Sequence, residues 1–154
     1  MGDISKNFSL SEFTSSTTAA VNKIDNTPNA VQIANIQRLV KYVLQPARDL
    51  YGMPIKINSG FRSPKLNSLV GGAPTSAHLT GSAADLDSTD NMRLFEVIRS
   101  LGNFDQLINE FDYQWIHVSY KESGNRKEVL RSVKENGVTK YYPIKNDEKS
   151  KRDF

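Results

Sequence analysis

The chain holds two histidines and no cysteine. Both histidines fall in short segments rich in groups that bind metals. The first segment, Ser76-Ala77-His78-Leu79-Thr80-Gly81-Ser82-Ala83-Ala84-Asp85, sets His78 and Asp85 seven positions apart, with Gly81 between them. The second, Trp115-Ile116-His117-Val118-Ser119, carries the other histidine. Imidazole and carboxylate suit Zn²⁺, and three protein ligands plus a water is the usual catalytic arrangement. His78, Asp85 and His117 supply three ligands, and no thiolate can close a fourth position. The expectation is an open site. Its bound water, with a pKa brought down to roughly 7, attacks a carbonyl polarised by the same ion. Amide hydrolysis is the natural reaction of such a site. Two histidines and one carboxylate also suit Fe(II) or Mn²⁺, so these residues prefer zinc without fixing it. A lone histidine is more often structural than ligating. The case rests on both histidines lying in the two segments.

Those residues need elements to position them. Ser9 and Glu12 have the spacing of a capping box and predict a short helix over 10–23, packed through Phe13 and Val21. Thr27 and Pro28 read as the cap and first position of the next helix. Its apolar face is Val31, Ile33, Ile36, Leu39, Val40, Val43, Ala47 and Leu50. Pro46 predicts a kink within it, and Gly52 its end. Residues 54–58 read as a strand, after which Ser59-Gly60 turns the chain so that Arg62 projects. Ser63 and Pro64 open a short helix, and residues 71–76 form a loop at the rim of a pocket. Gly81 lets the backbone turn, or approach closely, where a side chain would obstruct.

A strand over 82–87 carries Asp85 and Asp87 on one face, so either could be the ligand by geometry alone. Residues 88–91 cap a helix to 101 with an apolar face of Leu94, Phe95, Ile98 and Leu101, stopped by Gly102. Strands over 104–110 and 115–120 pair as a hairpin. Glu110 then faces Trp115, Ile108 faces His117, and all four share one face. Glu110 lies diagonal to His117, about 7–8 Å away between backbones, which a glutamate can bridge towards a metal-bound water. It is the expected general base, and Asp112 is the expected turn-former. Residues 129–133 and 138–144 form a second hairpin around Asn136-Gly137. Residues 1–144 make one domain, and 145–154 a charged, loose tail.

The pattern Ser-x-His-x-x-Gly-x-Ala-x-Asp followed by Trp-Ile-His-Val-Ser resembles the D-alanyl-D-alanine carboxypeptidase family of zinc peptidases. Its superfamily takes in D-Ala-D-Ala dipeptidases, phage L-alanyl-D-glutamate endolysins and the Hedgehog signalling domain. The likeness extends to Ile57-Asn58-Ser59-Gly60-Phe61-Arg62-Ser63, to Leu10-Ser11-Glu12-Phe13 and to Phe104-Asp105-Gln106-Leu107-Ile108, over residues 8–133. It implies an α+β fold of the Hedgehog/D-Ala-D-Ala-peptidase type, with helices packed against a small, mainly antiparallel sheet. It implies His78, Asp85 and His117 as zinc ligands, which leaves Asp87 to orient a ligand histidine. It implies Arg62 as a substrate-orienting cation and Ser76 as a pocket residue. Gln114 and Trp115 are grouped with them as substrate-binding. A guanidinium grips a carboxylate with two parallel bonds, which suits Arg62 to a C-terminus or a D-Glu side chain.

The implied activity is hydrolysis of peptide bonds in peptidoglycan stem peptides. The bond stays open between D-Ala-D-Ala, L-Ala-D-Glu and a cross-link. Many members of the superfamily carry the catalytic acid three residues before the last histidine, where this chain has Gln114. That departure sets up the alternative: a weak or inactive zinc-bearing module that binds cell wall or builds a phage particle.

The 154 residues suit one domain, and an apolar fraction of 38% suffices for one core. A net charge of +3 is too small to argue for nucleic acid. The basic residues between Lys121 and Lys140 are offset by Glu122, Glu128 and Glu135, as on a solvated face. No stretch has the length of a membrane span, and the N-terminus lacks the apolar core of a signal peptide. A monomer is expected. It would be cytoplasmic until released, or virion-associated, and would act on the cell wall.

Overall fold

Helix ends are set by side chains that take up otherwise unpaired backbone groups. The structure is a computed structural model that describes residues 2–145. The expected tail from residue 146 onward lies outside the described residues. Glu12 accepts the Ser9 N–H at 2.7 Å and closes the predicted capping box on α1 (Leu10–Thr14). The single helix expected over 10–23 is two helices. Ser15 leaves helical geometry, and Ser16 caps α2 (Thr17–Val21) by accepting the Ala19 N–H. Serine hydroxyls compete for nearby backbone groups and favour caps over helix interiors. Phe13 is buried as expected, but Val21 is exposed and packs no core.

Asn29, rather than Thr27, caps α3 (Ala30–Leu39), and Gln32 completes a second capping box. Pro46 offers no N–H to the Tyr42 carbonyl. At this point the chain widens into a π-helical turn (Val40–Leu44) in which the Gln45 N–H reaches the Val40 carbonyl. Asn103 donates to the Tyr42 carbonyl at 3.2 Å in place of the missing bond. Helix α4 (Gln45–Tyr51) follows and ends at Gly52.

Among the described residues, six strands form one sheet: β1 (Lys56–Ser59), β2 (Ala83–Asp87), β3 (Gln106–Glu110), β4 (Trp115–Ser119), β5 (Glu128–Glu135) and β6 (Val138–Pro143). Their order is β1-β2-β4-β3-β5-β6, with β3 and β5 parallel and the other pairs antiparallel. The β3–β4 register is the predicted one, with Glu110 opposite Trp115 and Ile108 opposite His117. The Asn136-Gly137 turn joins β5 to β6 as expected. Nothing in the local pattern announced the parallel pairing. Asp105 anchors it by accepting the Arg126 backbone N–H at 3.0 Å and its guanidinium at 3.0 and 2.8 Å.

The two faces of this sheet have different work, because side chains alternate along a strand. Ala84, Leu86, Leu107, Ile116, Val118 and Val129 are buried in the apolar core with Ile36, Leu39, Leu44 and Tyr51. Ser63 caps the short helix α5 (Pro64–Leu69) as expected, and helix α6 (Asn91–Leu101) adds Leu94, Phe95 and Ile98 to the same core. Asp85, His117, Ile108 and Glu110 point the other way. The fold is therefore the α+β arrangement expected, with the catalytic candidates opposite the core. No described helix is long and apolar enough to cross a membrane.

Buried Asn26 ties the segment before α3 to the one that carries Arg62. It donates to the Thr14 and Phe61 carbonyls, each at 3.0 Å, and accepts the Ser63 N–H at 2.8 Å. Removing it leaves three backbone groups without this partner, one of them in a fully buried bond. Asn26→Ala should cost about 2–3 kcal/mol in urea unfolding, and a loss below about 0.5 kcal/mol would contradict this role. The Asp105 carboxyl is held below the ordinary carboxylate range, chiefly by its bond from Arg126 and against burial. A carboxyl depressed in the folded state contributes stability above its unfolded value of roughly 4, and loses it as pH falls through the folded value. The stability gap between wild type and Arg126→Ala should therefore shrink from about pH 5 to about pH 2. A gap that stays constant would rule out the ion pair as its cause.

Candidate metal centre

Asp85 and His117 stand directly opposite each other on β2 and β4. Asp85 Oδ1 lies 3.0 Å from His117 Nδ1. His78 comes from outside the sheet, on a tight 3-10 turn (Ala77–Thr80). Ser76 caps this turn by accepting the His78 N–H, and Gln32 and Asn35 of α3 donate to the Leu79 and Thr80 carbonyls. Gly81 ends the turn at φ 77°, where a Cβ would stand 2.6 Å from the Gln32 carbonyl oxygen. Both needs foreseen for this glycine, a turn and a close approach, are real.

His78 is buried, and its Nδ1 lies 2.6 Å from the Gly60 carbonyl. A carbonyl only accepts, so Nδ1 carries the proton and Nε2 keeps its lone pair. Gly60 is pressed against Phe13, where a Cβ would come within 2.7 Å of the Phe13 backbone. The ring orientation therefore follows from how α1 meets the end of β1.

Nε2 of His78 has no hydrogen-bond partner and faces Asp85 Oδ2 at 3.4 Å. A lone pair turned towards a carboxylate in a buried site calls for a cation between them. The ligand atoms of His78, Asp85 and His117 lie within 4.8 Å of one another. Bonds of about 2.0–2.1 Å in a tetrahedron put ligand atoms roughly 3.3–3.5 Å apart; the 3.4 Å from His78 Nε2 to Asp85 Oδ2 and the 3.0 Å from His117 Nδ1 to Asp85 Oδ1 are near that span, so donor types and spacing suit zinc. Burial pushes the Asp85 carboxyl up, but the bond from His117 Nδ1 and the nearness of the two imidazoles outweigh it and hold the group ionised, below the usual range. An ionised carboxylate is the form that binds a metal.

One family profile, described as peptidase M15, matches residues 6–119. The chain belongs to the peptidase M15 family. No curated protein matches it. The family is one of zinc-dependent peptidases, and this member has a His-Asp-His cluster among its described residues.

A cleft of about 800 Å³ opens over the cluster. Arg62, Ser76, Glu110 and Trp115 line it with the three ligand candidates. Gln114 is exposed in the β3–β4 turn and is not among the lining residues. Asp87 does not orient a histidine: its Oδ1 accepts the Ser88 N–H and the Asn91 side chain at the start of α6. Arg62 donates to Ser59 and to buried Asn67, and its Nη2 stands 3.8 Å from Asp85 Oδ2. Burial lowers its pKa, and Asp85 opposes that effect.

Glu110 is buried at the end of β3 and accepts from Ser132 at 2.6 Å. Burial raises its pKa above the ordinary glutamate value, while Ser132 and His117 act the other way. Sequence reasoning missed Leu130 and Tyr141 in this cleft, and Ser132 as the partner of Glu110. Leu130 and Ser132 arrive through the β3–β5 pairing and Tyr141 through β5–β6, and only those registers would have found them.

A ligand that binds only the folded state raises stability, by about 2.7 kcal/mol at a hundredfold excess over Kd. Zinc added to chelator-stripped protein should raise the melting temperature of wild type and leave Asp85→Ala unmoved. An equal rise in both would place the binding elsewhere.

Proposed function

We propose that this chain is a zinc peptidase acting on peptidoglycan stem peptides. The reading rests above all on one observation: an unpartnered His78 Nε2, Asp85 and His117 converge beneath a cleft that also holds a buried carboxylate, Glu110. Zinc bound by His78 Nε2, Asp85 and His117 Nδ1 would supply Lewis acidity towards a carbonyl oxygen and an acidified water.

The protein's own groups do the rest. Glu110 takes the proton of the attacking water and returns it to the leaving amine. Its pKa, raised by burial, brings it closer to the working range of a general base. Gln114 does not leave the site without a base, because Glu110 lies in the same cleft. Arg62 is held by Ser59 and Asn67, which occupy two of the five guanidinium N–H groups. The others are suited to a substrate carboxylate, which a stem peptide carries at its C-terminus and on D-Glu. Trp115 and Ile108 give the cleft apolar wall. The Ser76 oxygen accepts the His78 N–H and so helps fix a ligand, while its own O–H remains able to donate to a substrate in the cleft.

Zinc-loaded protein should release new amino groups from purified peptidoglycan. Glu110→Gln should lower the rate by about 10²–10⁴-fold with its zinc retained. No release by wild type would overturn the substrate reading, and an undiminished rate in Glu110→Gln would remove that residue from the mechanism.

A further inference from the structure

Glu110 needs a fixed carboxylate, yet it is the last residue of its strand and has a long, rotatable side chain. The residue directly opposite it on β5 is Ser132, which is fully buried. The Ser132 hydroxyl donates to Glu110 Oε1 at 2.6 Å, a short bond of the charge-assisted kind. Ser132 Oγ in turn accepts the Phe111 N–H at 3.3 Å. A hydroxyl has one proton, and here it is directed at Glu110. Oε1 is thereby engaged, which leaves Oε2 for proton transfer.

We infer that Ser132 is a positioning residue for Glu110, supplied by a strand beyond the matched residues 6–119. The inference rests on the reading of Glu110 as the base. In this account the β5–β6 hairpin is part of the active site rather than an appendage. The parallel β3–β5 pairing is what brings the serine into register. A hydroxyl that only filled space would act on stability and not on turnover.

The test is a double-mutant cycle on zinc-loaded protein with a soluble stem peptide, reading kcat, KM, melting temperature and zinc per chain. Ser132→Ala should lower kcat by about 10–100-fold, the worth of a hydrogen bond to a charged group, with KM and zinc unchanged. Ser132→Thr keeps the hydroxyl and should restore most of the loss. Ser132→Cys fills the same space with a weak donor and gives the same reading should the alanine variant fold poorly. In the Glu110→Gln background, Ser132→Ala should cost nothing more. An unchanged kcat in Ser132→Ala, or an equal loss in both backgrounds, would overturn the proposal. Wild-type activity in Glu110→Gln alone would remove the reading beneath it, and the proposal with it.

Discussion

The bond from His78 Nδ1 to the Gly60 carbonyl is the constraint on which the site depends. Asp85 and His117 are fixed by the sheet, since paired strands leave them no other place. His78 lies outside that ladder and has to be brought in by other means. The Gly60 carbonyl sets the ring's tautomer and aims Nε2 at Asp85. That carbonyl is itself placed by the contact of Gly60 with Phe13 and by the Phe61 N–H bond to the Phe13 carbonyl. A short N-terminal helix far along the chain from either histidine thus decides which way a ligand points.

The electrostatics of the cluster follow from this placement. One half-buried carboxylate faces two imidazoles and a guanidinium. Glu110, on the same side of the sheet, is destabilised as an anion by its burial. Two acids in one cleft are thereby driven apart, Asp85 towards a permanent charge and Glu110 towards proton exchange. This is the division of labour a metal ligand and a general base require.

Much of this was legible in the sequence. Strand alternation gave the β3–β4 register, and with it the shared face of Glu110 and His117. The choice of Asp85 over Asp87 came from family likeness, because both lie on one face. The structure supplies the physical difference: Asp87 is drawn to the start of α6 by Ser88 and Asn91. What stayed illegible was long-range. Ser132 reaches Glu110 by a parallel pairing closed across a loop, Tyr141 reaches the cleft through the hairpin built on that strand, and Asn26 acts through contacts distant in sequence. The local differences have local causes: serines cap where helix was expected, and the N–H that Pro46 lacks is met by a π-turn.

The central claim is that His78, Asp85 and His117 bind zinc as one site. Elemental analysis of purified wild type beside His117→Ala tests it most directly. The account requires about one zinc per wild-type chain, and its loss in a variant that remains folded. Wild type that holds no zinc after reconstitution, or His117→Ala that holds as much as wild type, would contradict it.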